Sequence, residues 1–470
     1  MSKKLTMCAN EVIMSKNNSS RGRLNVLRAL AAEGAHVHFL GVGGVSMSSL
    51  FALSRRFGIS VSGEDRAQGE YIRTLACDVG DVWVGEHRPL PGNTTLLVYS
   101  LAVSEDDAAL REAEEKGIMT VSRAEYMSAL VEPYKFKVAV SGTHGKSTVT
   151  SMLHTVFKAA GLLPTTLSGA PLSGEMCHFS HGSLDYLIFE SCEYKDSFLY
   201  FTPDVGVFLN LELDHPDYFK SAAQLSDSFL TAMKRARLPV VYAGDPALRK
   251  IAEKLDTPPI YFGEDVDFCT YSYRKVGQGV AELFHKGSLL GEISVSLLGD
   301  FNLTNAAAAT AVSIECGVPF DVVKEALGGF SGVARRLELI GEYKGRAVYY
   351  DYAHHPTEIR EGIRALGSVH GGVTVVFLPH TYSRTAALWE DFTASLRLAD
   401  YAIIGSIDGV REGKIEGISA ERLARDVGAY YLSDSRQLLR LLDKTEGCVA
   451  LMGAADMREI KNTLFPQEKT

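Results

Sequence analysis

Ser141-Gly142-Thr143-His144-Gly145-Lys146-Ser147-Thr148 lies between an apolar run at 136–140 and a segment that places Met152, Leu153, Val156, Phe157 and Ala160 on one helical face before Gly161 and Pro164 end it. Strand, glycine turn and helix in that order make a phosphate cradle. Backbone N–H groups of a turn without bulky side chains point at the anion, and the helix N-terminus adds its positive end. In such a loop Lys146 neutralises β- and γ-phosphate charge, and the Ser147 hydroxyl reaches a divalent cation. The full spacing asks for glycine at position 140, where this chain has Val140, so the loop is a shortened P-loop of the form GTxGK[ST]. The competing reading is a plain glycine turn. The strand before the loop and the helix after it favour the nucleotide.

Working outward, 470 residues exceed one ordinary core and imply roughly two to four domains. Hydrophobic residues at 46% and charged residues at 22% fit a globular chain. A net charge of −9 argues against nucleic-acid and anionic-membrane binding, leaving room for a local basic patch facing a phosphate-rich substrate. The seven cysteines are scattered without a CxxC pair, which predicts reduced thiols and a cytoplasmic setting. Residues 34–54 carry no Asp, Glu, Lys or Arg before Arg55, a length that raises the question of a membrane span. Their glycines, serines and histidines suit strand, turn and helix better, so no membrane insertion is expected.

Three α/β units are predicted after an N-terminal extension, 1–35, that has no assigned role. The first, 36–133, has strands at 36–40, 59–63 and 96–99, and a glycine turn Gly41-Val42-Gly43-Gly44-Val45-Ser46 before a helix carrying Leu50, Leu53 and Phe57. Alternating strands and helices imply a parallel sheet with right-handed crossovers. The turn is close to GxGxxG, with Ser46 in place of the last glycine, and Asp65 follows at a distance that suits a ribose contact. A tight turn that binds nothing is the alternative. A dinucleotide-dependent dehydrogenase explains this turn alone and leaves the P-loop unexplained.

The second unit, 134–330, adds strands at 186–189, 205–209 and 239–242 and a small antiparallel patch within 268–297. Its alanine-rich helix, 306–317, is preceded by Asn302 and Asn305, one turn apart, which read either as helix caps or as ligand contacts. The third unit, 331–470, has strands at 347–350, 373–378, 401–404 and 449–452 with helices at 386–398 and 437–442, a second doubly wound pattern.

Several polar clusters follow predicted strands, where α/β sheets form their ligand crevices. Glu190 and Glu193 end one strand, and Asp214-His215 follows the next; together they could hold Mg²⁺, while singly each acid reads as a solvated loop charge. Arg335-Arg336 precede Asp351-Tyr352-Ala353-His354-His355-Pro356-Thr357-Glu358, whose adjacent histidines point to different sides and whose Thr357 suits a helix cap. In Pro379-His380-Thr381-Tyr382-Ser383-Arg384 the arginine suits either a bidentate carboxylate clamp or an ion pair between domains.

In this order, GVGGVSMSSL, SGED, YSLAVS, SGTHGKST, FESCEYKDSF, NLELDHPDYF, FNLTNAAAA, RRLE, DYAHHPTE, PHTYSRT and LMGAADM resemble the Mur ligases, from His36 to Ala455. The resemblance implies three domains: a Rossmann-like UDP-binding unit, a central P-loop ATPase unit and a C-terminal Rossmann-like unit on the amino-acid side. It implies a ligase of peptidoglycan precursor synthesis. The lactyl carboxylate of UDP-N-acetylmuramate takes the γ-phosphate of ATP, and the amine of L-alanine displaces phosphate from the acyl phosphate. Positioning and charge neutralisation are then the protein's task. A relative that reattaches murein peptide to the same nucleotide and a non-catalytic nucleotide binder are the alternatives.

By the same resemblance, residues 142–148 (Gly142, Thr143, His144, Gly145, Lys146, Ser147, Thr148) hold ATP, Ser147 and Glu193 hold one Mg²⁺ or Mn²⁺, and His215 binds a second. Asn302 and Asn305 meet adenine, Arg336 the phosphates and Asp351 the ribose. Tyr352, His354 and Arg384 line the amino-acid pocket. Gly43, Gly44, Ser46, Ser62, Asp65 and Ser100 receive the UDP moiety. Lys146, Glu193, His215, His354 and Arg384 carry the chemistry. A monomer or weak homodimer is expected. Glu190-Ser191-Cys192-Glu193 departs from the family's EADES-like run, since Cys192 removes an acid.

Overall fold

The computed structural model describes residues 18–69, 71–72, 81–174, 178–265, 267–409 and 412–466. Most of the N-terminal extension, with Cys8, and also Cys77 and Cys177, lie outside the described residues. Contacts divide the chain into two compact units. One comprises Met1–Ser141, Ala160–Gly206 and Thr231–Leu238; the other comprises Gly142–Ala159, Val207–Leu230 and Pro239–Thr470.

In the first unit, strands β1 (His36–Leu40), β2 (Ser60–Asp65), β3 (Val82–Val84), β4 (Leu96–Tyr99) and β5 (Met119–Ser122) form one sheet in the order β3-β2-β1-β4-β5. Every pairing in it is parallel. All five residues of β1 are buried, as a central strand covered on both faces requires. The helix Val45–Arg56 buries Met47, Leu50, Phe51 and Leu53. The helix Arg123–Leu130 starts in a capping box between Ser122 and Glu125.

Phe39 meets Phe51 and Tyr126 edge-on at centroid distances of 5.5 and 5.4 Å. Such pairs add about 0.5–1.5 kcal/mol each beyond area burial. The same core takes in Ala139, Leu187 and Phe189 from β6 (Phe136–Ser141) and the strands beside it, β7 (Thr165–Leu167), β8 (Phe179–Ser180) and β9 (Tyr186–Glu190). The extension is not idle: a helix over Asn18–Ala31 buries Val26, Leu27 and Leu30 in that core, and Arg23 pairs with Glu132 at 3.0 Å.

After β10 (Val205–Phe208), the second unit carries β11 (Leu238–Tyr242), β12 (Ile260–Glu264), β13 (Tyr271–Gly277), β14 (Val280–His285) and β15 (Ser288–Ser294). Strand β11 pairs parallel with β12 and β12 with β13, and then β13, β14 and β15 form the expected antiparallel meander. The helix Lys146–Ala159 packs against the helix Phe301–Glu315, whose Ala306, Ala307, Ala308, Ala309 and Ala311 are buried. Methyl side chains let the two helix axes approach closely.

The last sheet has β16 (Glu338–Tyr343), β17 (Arg346–Asp351), β18 (Val373–Phe377), β19 (Tyr401–Gly405), β20 (Tyr430–Leu432) and β21 (Cys448–Met452) in the order β16-β17-β21-β18-β19-β20. It is parallel except for β16, an antiparallel edge strand that the sequence reading missed. The predicted helix at 386–398 is two helices, Tyr382–Ala387 and Trp389–Leu396, because Leu388 leaves helical geometry (φ −113°, ψ 26°).

Candidate functional site: a phosphate loop beside a histidine–carboxylate cluster

The loop after β6 has the backbone that its glycines permit. Gly142 (φ 141°) and Gly145 (φ 83°) lie where L side chains are strained. A Cβ on Gly145 would stand 2.8 Å from Asn305 Oδ1, and one on Gly142 would stand 3.0 Å from Leu209 Cβ. Asn210 fastens the loop: its Oδ1 accepts from His144 N at 2.7 Å and its Nδ2 donates to His144 O at 3.1 Å. Thr143 Oγ1 donates to Glu212 O at 3.1 Å and accepts from Glu212 N at 2.9 Å. Lys146 Nζ donates to the carbonyls of Gly142 and Thr143. Ser147 and Thr148, in the first helical turn, are buried.

Asn302 and Asn305 are not helix caps. The helix begins at Phe301 after Asp300, five residues earlier than read, and both asparagines lie inside its first turns. Asn302 Nδ2 donates to Leu298 O at 2.8 Å and Asn305 Nδ2 to Asn302 Oδ1 at 3.2 Å. Asn305 stands against the loop at Gly145, and Asn302 lies one turn before Asn305, hydrogen-bonded to it.

A charged cluster lies beside the loop. His144 Nδ1 is 3.2 Å from Glu358 Oε1, and His144 Nε2 is 3.5 Å from Glu212 Oε2. His355 Nδ1 is 3.5 Å from the same Glu212 oxygen, which also accepts from Thr357 Oγ1 at 2.6 Å. Burial works against a charge on His144, but Glu358 and Glu212 outweigh it and raise its pKa to about 9. Glu212, despite burial, is drawn down to about 2 by His144 and Thr357. Burial and the His144 charge lower His355. Thr357 is not the cap of the Pro356–His370 helix. His355 holds that position, accepting from Thr357 N, while Glu358 accepts from the His355 backbone and completes the box.

The strand-end residues of the third sheet converge on the same region. Asp351, at the end of β17, accepts from Ala353 N at 2.9 Å and Leu337 N at 3.3 Å. Burial raises its carboxyl to about 7 against the pull of Arg336. Arg335 and Arg336 lie 5.0 and 5.5 Å over the Tyr352 ring. His354 is pushed down to about 4 by burial; its Nδ1 is 2.9 Å from Tyr352 O. Arg384 is a bidentate clamp on a carboxylate of this chain: Nε and Nη2 donate to Asp214 Oδ1 and Oδ2 at 2.9 and 3.2 Å. Both residues are buried, and Arg384 holds Asp214 far below the usual carboxylate range despite burial. His215 (φ 55°), Arg335 (φ 60°) and Thr381 (φ 66°) have left-handed backbones, strain of a kind that clusters at functional sites.

In the first unit, the ends of β1 and β4 flank the point where the strand order reverses, the usual ligand crevice of such a sheet. The turn from Gly41 to Ser46 follows β1, and Ser100 follows β4. Asp65 Oδ2 accepts from Gly43 N at 2.9 Å, and the Gly44 backbone caps the following helix. Ser46 Oγ accepts from Arg123 Nη1 at 3.0 Å. Ser62 lies deeper: it is buried, with its hydroxyl 2.7 Å from both His36 Nε2 and His38 Nδ1. Glu190 accepts from Ser168 Oγ at 3.0 Å and from Gly169 N. Glu193 is buried just ahead of the turn Tyr194–Tyr200, where Lys195 and Asp196 have positive φ.

Sequence reasoning passed over Asn210, Glu212, His355 and Glu358 as working groups, and Arg123 altogether. The signals were present: Glu358 stands three residues after His355, as in a capping box, and Asn210 and Glu212 follow the end of β10, ahead of Asp214.

Three family profiles match the chain in order: "Mur ligase family, catalytic domain" over 36–135, "Mur ligase middle domain" over 140–313, and "Mur ligase, glutamate ligase domain" over 335–455. The chain is 35% identical to the UDP-N-acetylmuramate–L-alanine ligase of Aquifex aeolicus over 432 residues, 89% of this chain and 95% of that protein. It is 34% identical to the enzyme of the same name from Clostridium beijerinckii over 397 residues, 82% and 86% of the two chains. Among solved structures, the UDP-N-acetylmuramate–alanine ligase of Thermotoga maritima superposes with a TM-score of 0.76 at 23% identity, covering 91% of this chain and 97% of that one. A murein peptide ligase from Psychrobacter arcticus has the same fold, with a TM-score of 0.72 at 20% identity, 93% and 100% covered. A glycine-cradled phosphate loop, strand-end acids and arginines, and identity across nearly the whole chain lead to one conclusion: this protein belongs to the Mur ligase family.

Proposed function

We propose that this chain is an ATP-dependent ligase that joins L-alanine to the lactyl carboxylate of UDP-N-acetylmuramate in peptidoglycan precursor synthesis. The observation that carries the reading is the identity of about one third, over 82–90% of the chain, to relatives named for that reaction. The geometry supports it. A carboxylate is a poor acyl donor, so the reaction needs a phosphate loop, and the Gly142–Lys146 turn at the head of a fourteen-residue helix is one.

In this reading Lys146 leaves the loop carbonyls for β- and γ-phosphate oxygens, and the loop N–H groups hold the remaining charge. Asn302 and Asn305 meet adenine, Arg336 steadies phosphate, and Asp351 takes the ribose. Ser147, Glu193 and His215 offer hydroxyl, carboxylate and imidazole, donors that suit Mg²⁺ or Mn²⁺. The bound ion supplies charge neutralisation at the transferring phosphoryl group. Arg384, His354 and Tyr352 line the amino-acid side. His354, kept neutral by burial, offers the alanine amine a hydrogen-bond acceptor. Gly43, Gly44, Ser46, Asp65 and Ser100 receive the UDP moiety, with Ser62 supporting from beneath. Among the described residues no helix is long and apolar enough to cross a membrane, and we place the reaction in the cytoplasm, carried out by a monomer or weak homodimer.

The test is phosphate release from ATP with Mg²⁺ and UDP-N-acetylmuramate, with and without each candidate amino acid or peptide. Release that appears on adding L-alanine is expected. Release with a tripeptide and none with alanine would replace this acceptor with murein peptide.

A further inference from the structure

The cluster beside the phosphate loop has a geometry that hydrogen bonding does not account for. His144 Nε2 and His355 Nε2 are buried without a hydrogen-bond partner. The 3.5 Å distances from Glu212 Oε2 to His144 Nε2 and to His355 Nδ1 are too long for hydrogen bonds. They match another spacing. Ligands 2.0–2.2 Å from a tetrahedral ion stand about 3.4 Å from one another. One donor atom from each of His144, Glu212 and His355 lies within 4.8 Å of the others, so the third edge closes with a small side-chain shift.

The surroundings are those of a metal centre. Glu358 lies 3.2 Å from His144 Nδ1, so that nitrogen donates, and a bound ion would take the place of the Nε2 proton that otherwise faces Glu212. This carboxylate–histidine–metal order fixes the tautomer and orients the ring. Thr357 N donates to His355 Nδ1 at 3.3 Å, so the one lone pair of that atom is held only by a long hydrogen bond, which a bound ion would displace. Thr357 Oγ1 steadies the Glu212 oxygen at 2.6 Å. His355 is 5% exposed, so water does not account for its ring.

We propose that His144, Glu212 and His355 form a binding site for a divalent transition-metal ion of the zinc class, separate from any magnesium that accompanies ATP. Two imidazoles and one carboxylate suit Zn²⁺, Co²⁺ or Ni²⁺ and not Mg²⁺, which takes oxygen ligands and keeps its water. A metal here joins the phosphate loop, through His144, to the start of the Pro356–His370 helix and restrains the loop.

The test uses the whole protein, metal-free and without nucleotide, titrated with CoCl₂ and then with ZnCl₂ in competition. Expected is a visible Co²⁺ absorption without a sulfur charge-transfer band, displaced by zinc, with a rise in melting temperature. His144→Ala and His355→Ala abolish it, and Cys192→Ser leaves it unchanged. Glu358→Gln removes no ligand and weakens Co²⁺ about 10–100-fold; it decides the matter should a histidine variant fail to fold. A spectrum indifferent to the histidine variants and to Glu358→Gln, or one lost on Cys192→Ser, overturns the assignment. No substrate is present, so this outcome is independent of the ligase reading.

Discussion

Both units bury histidines beside carboxylates, and the two clusters differ in where their side chains stand. In the first unit His36 and His38 lie on β1 and Ser60, Ser62 and Glu64 on β2, opposite one another in register. Hydroxyls join the rings: Ser60 Oγ is 2.8 Å from His36 Nδ1, and Ser62 Oγ is shared by His36 and His38. The line ends at Glu64, which Trp83 and His87 hold at 2.8 and 2.9 Å. Strands β1 and β2 carry both histidines, the serines and Glu64, and burial, with repulsion from the neighbouring His38 ring, pushes His36 toward its neutral form. In the second unit His144, Glu212, His355 and Glu358 stand on turns and at a helix start. There carboxylates face imidazoles directly, and His144 is driven toward its charged form. A neutral His36 inside the sheet strengthens a frame. A charged His144 on the phosphate-loop turn belongs to a cluster whose cation can be exchanged.

That contrast is open to attack from several directions. The largest effect belongs to Lys146→Ala, which should lower the rate of ADP formation by at least about 10²–10³-fold while UDP-sugar binding survives. Retained activity, measured by coupled ADP assay, would remove the phosphate loop from the mechanism.

Next is the buried Asp214–Arg384 pair. Arg384→Leu leaves a carboxylate buried and should cost about 3–5 kcal/mol in denaturant melts, and Asp214→Asn in the same chain should recover part of it. Additive losses would mean that the two do not act as a pair. The frame of the first unit should respond more mildly: Ser62→Ala leaves two imidazole nitrogens unpaired, for about 1–3 kcal/mol. A raised KM for the UDP-sugar with unchanged stability would move Ser62 from frame to binding site.

The smallest effect sharpens the contrast most. His144, with its folded pKa raised to about 9, contributes stability that is complete below its unfolded value near 6.5 and lost as pH rises through about 9. Glu212, lowered to about 2, contributes above about 4.5 and loses that contribution as pH falls through about 2. His36, lowered, has the opposite sign to His144: its contribution is present above about 6.5 and fades as pH falls below that value. Ring NMR titration should therefore show His144 changing near pH 9 and His36 below pH 6.5. Two midpoints near 6.5 would erase the difference between the clusters.

The order of strands and helices, the glycine loop after β6 and the family were legible without coordinates. They rest on apolar periodicity and on glycines at turns that tolerate no Cβ, properties carried by neighbours in the chain. Strand β1 was read to the residue, and the antiparallel meander was found from its glycine spacing. Other features depend on residues far apart in the sequence. Asn210 fastening the loop, Asp214 meeting Arg384 across 170 positions and Thr357 meeting Glu212 across 145 have no local signature, because a contact of that range is set by how sheets and helices pack. The same holds for Ser62, which alternation alone could place on a strand but not between two buried histidines. Local chemistry decided which elements form and which loop its glycines leave open. Which polar groups are charged, neutral or held in reserve followed from packing, since burial and the nearest opposite charge set each pKa.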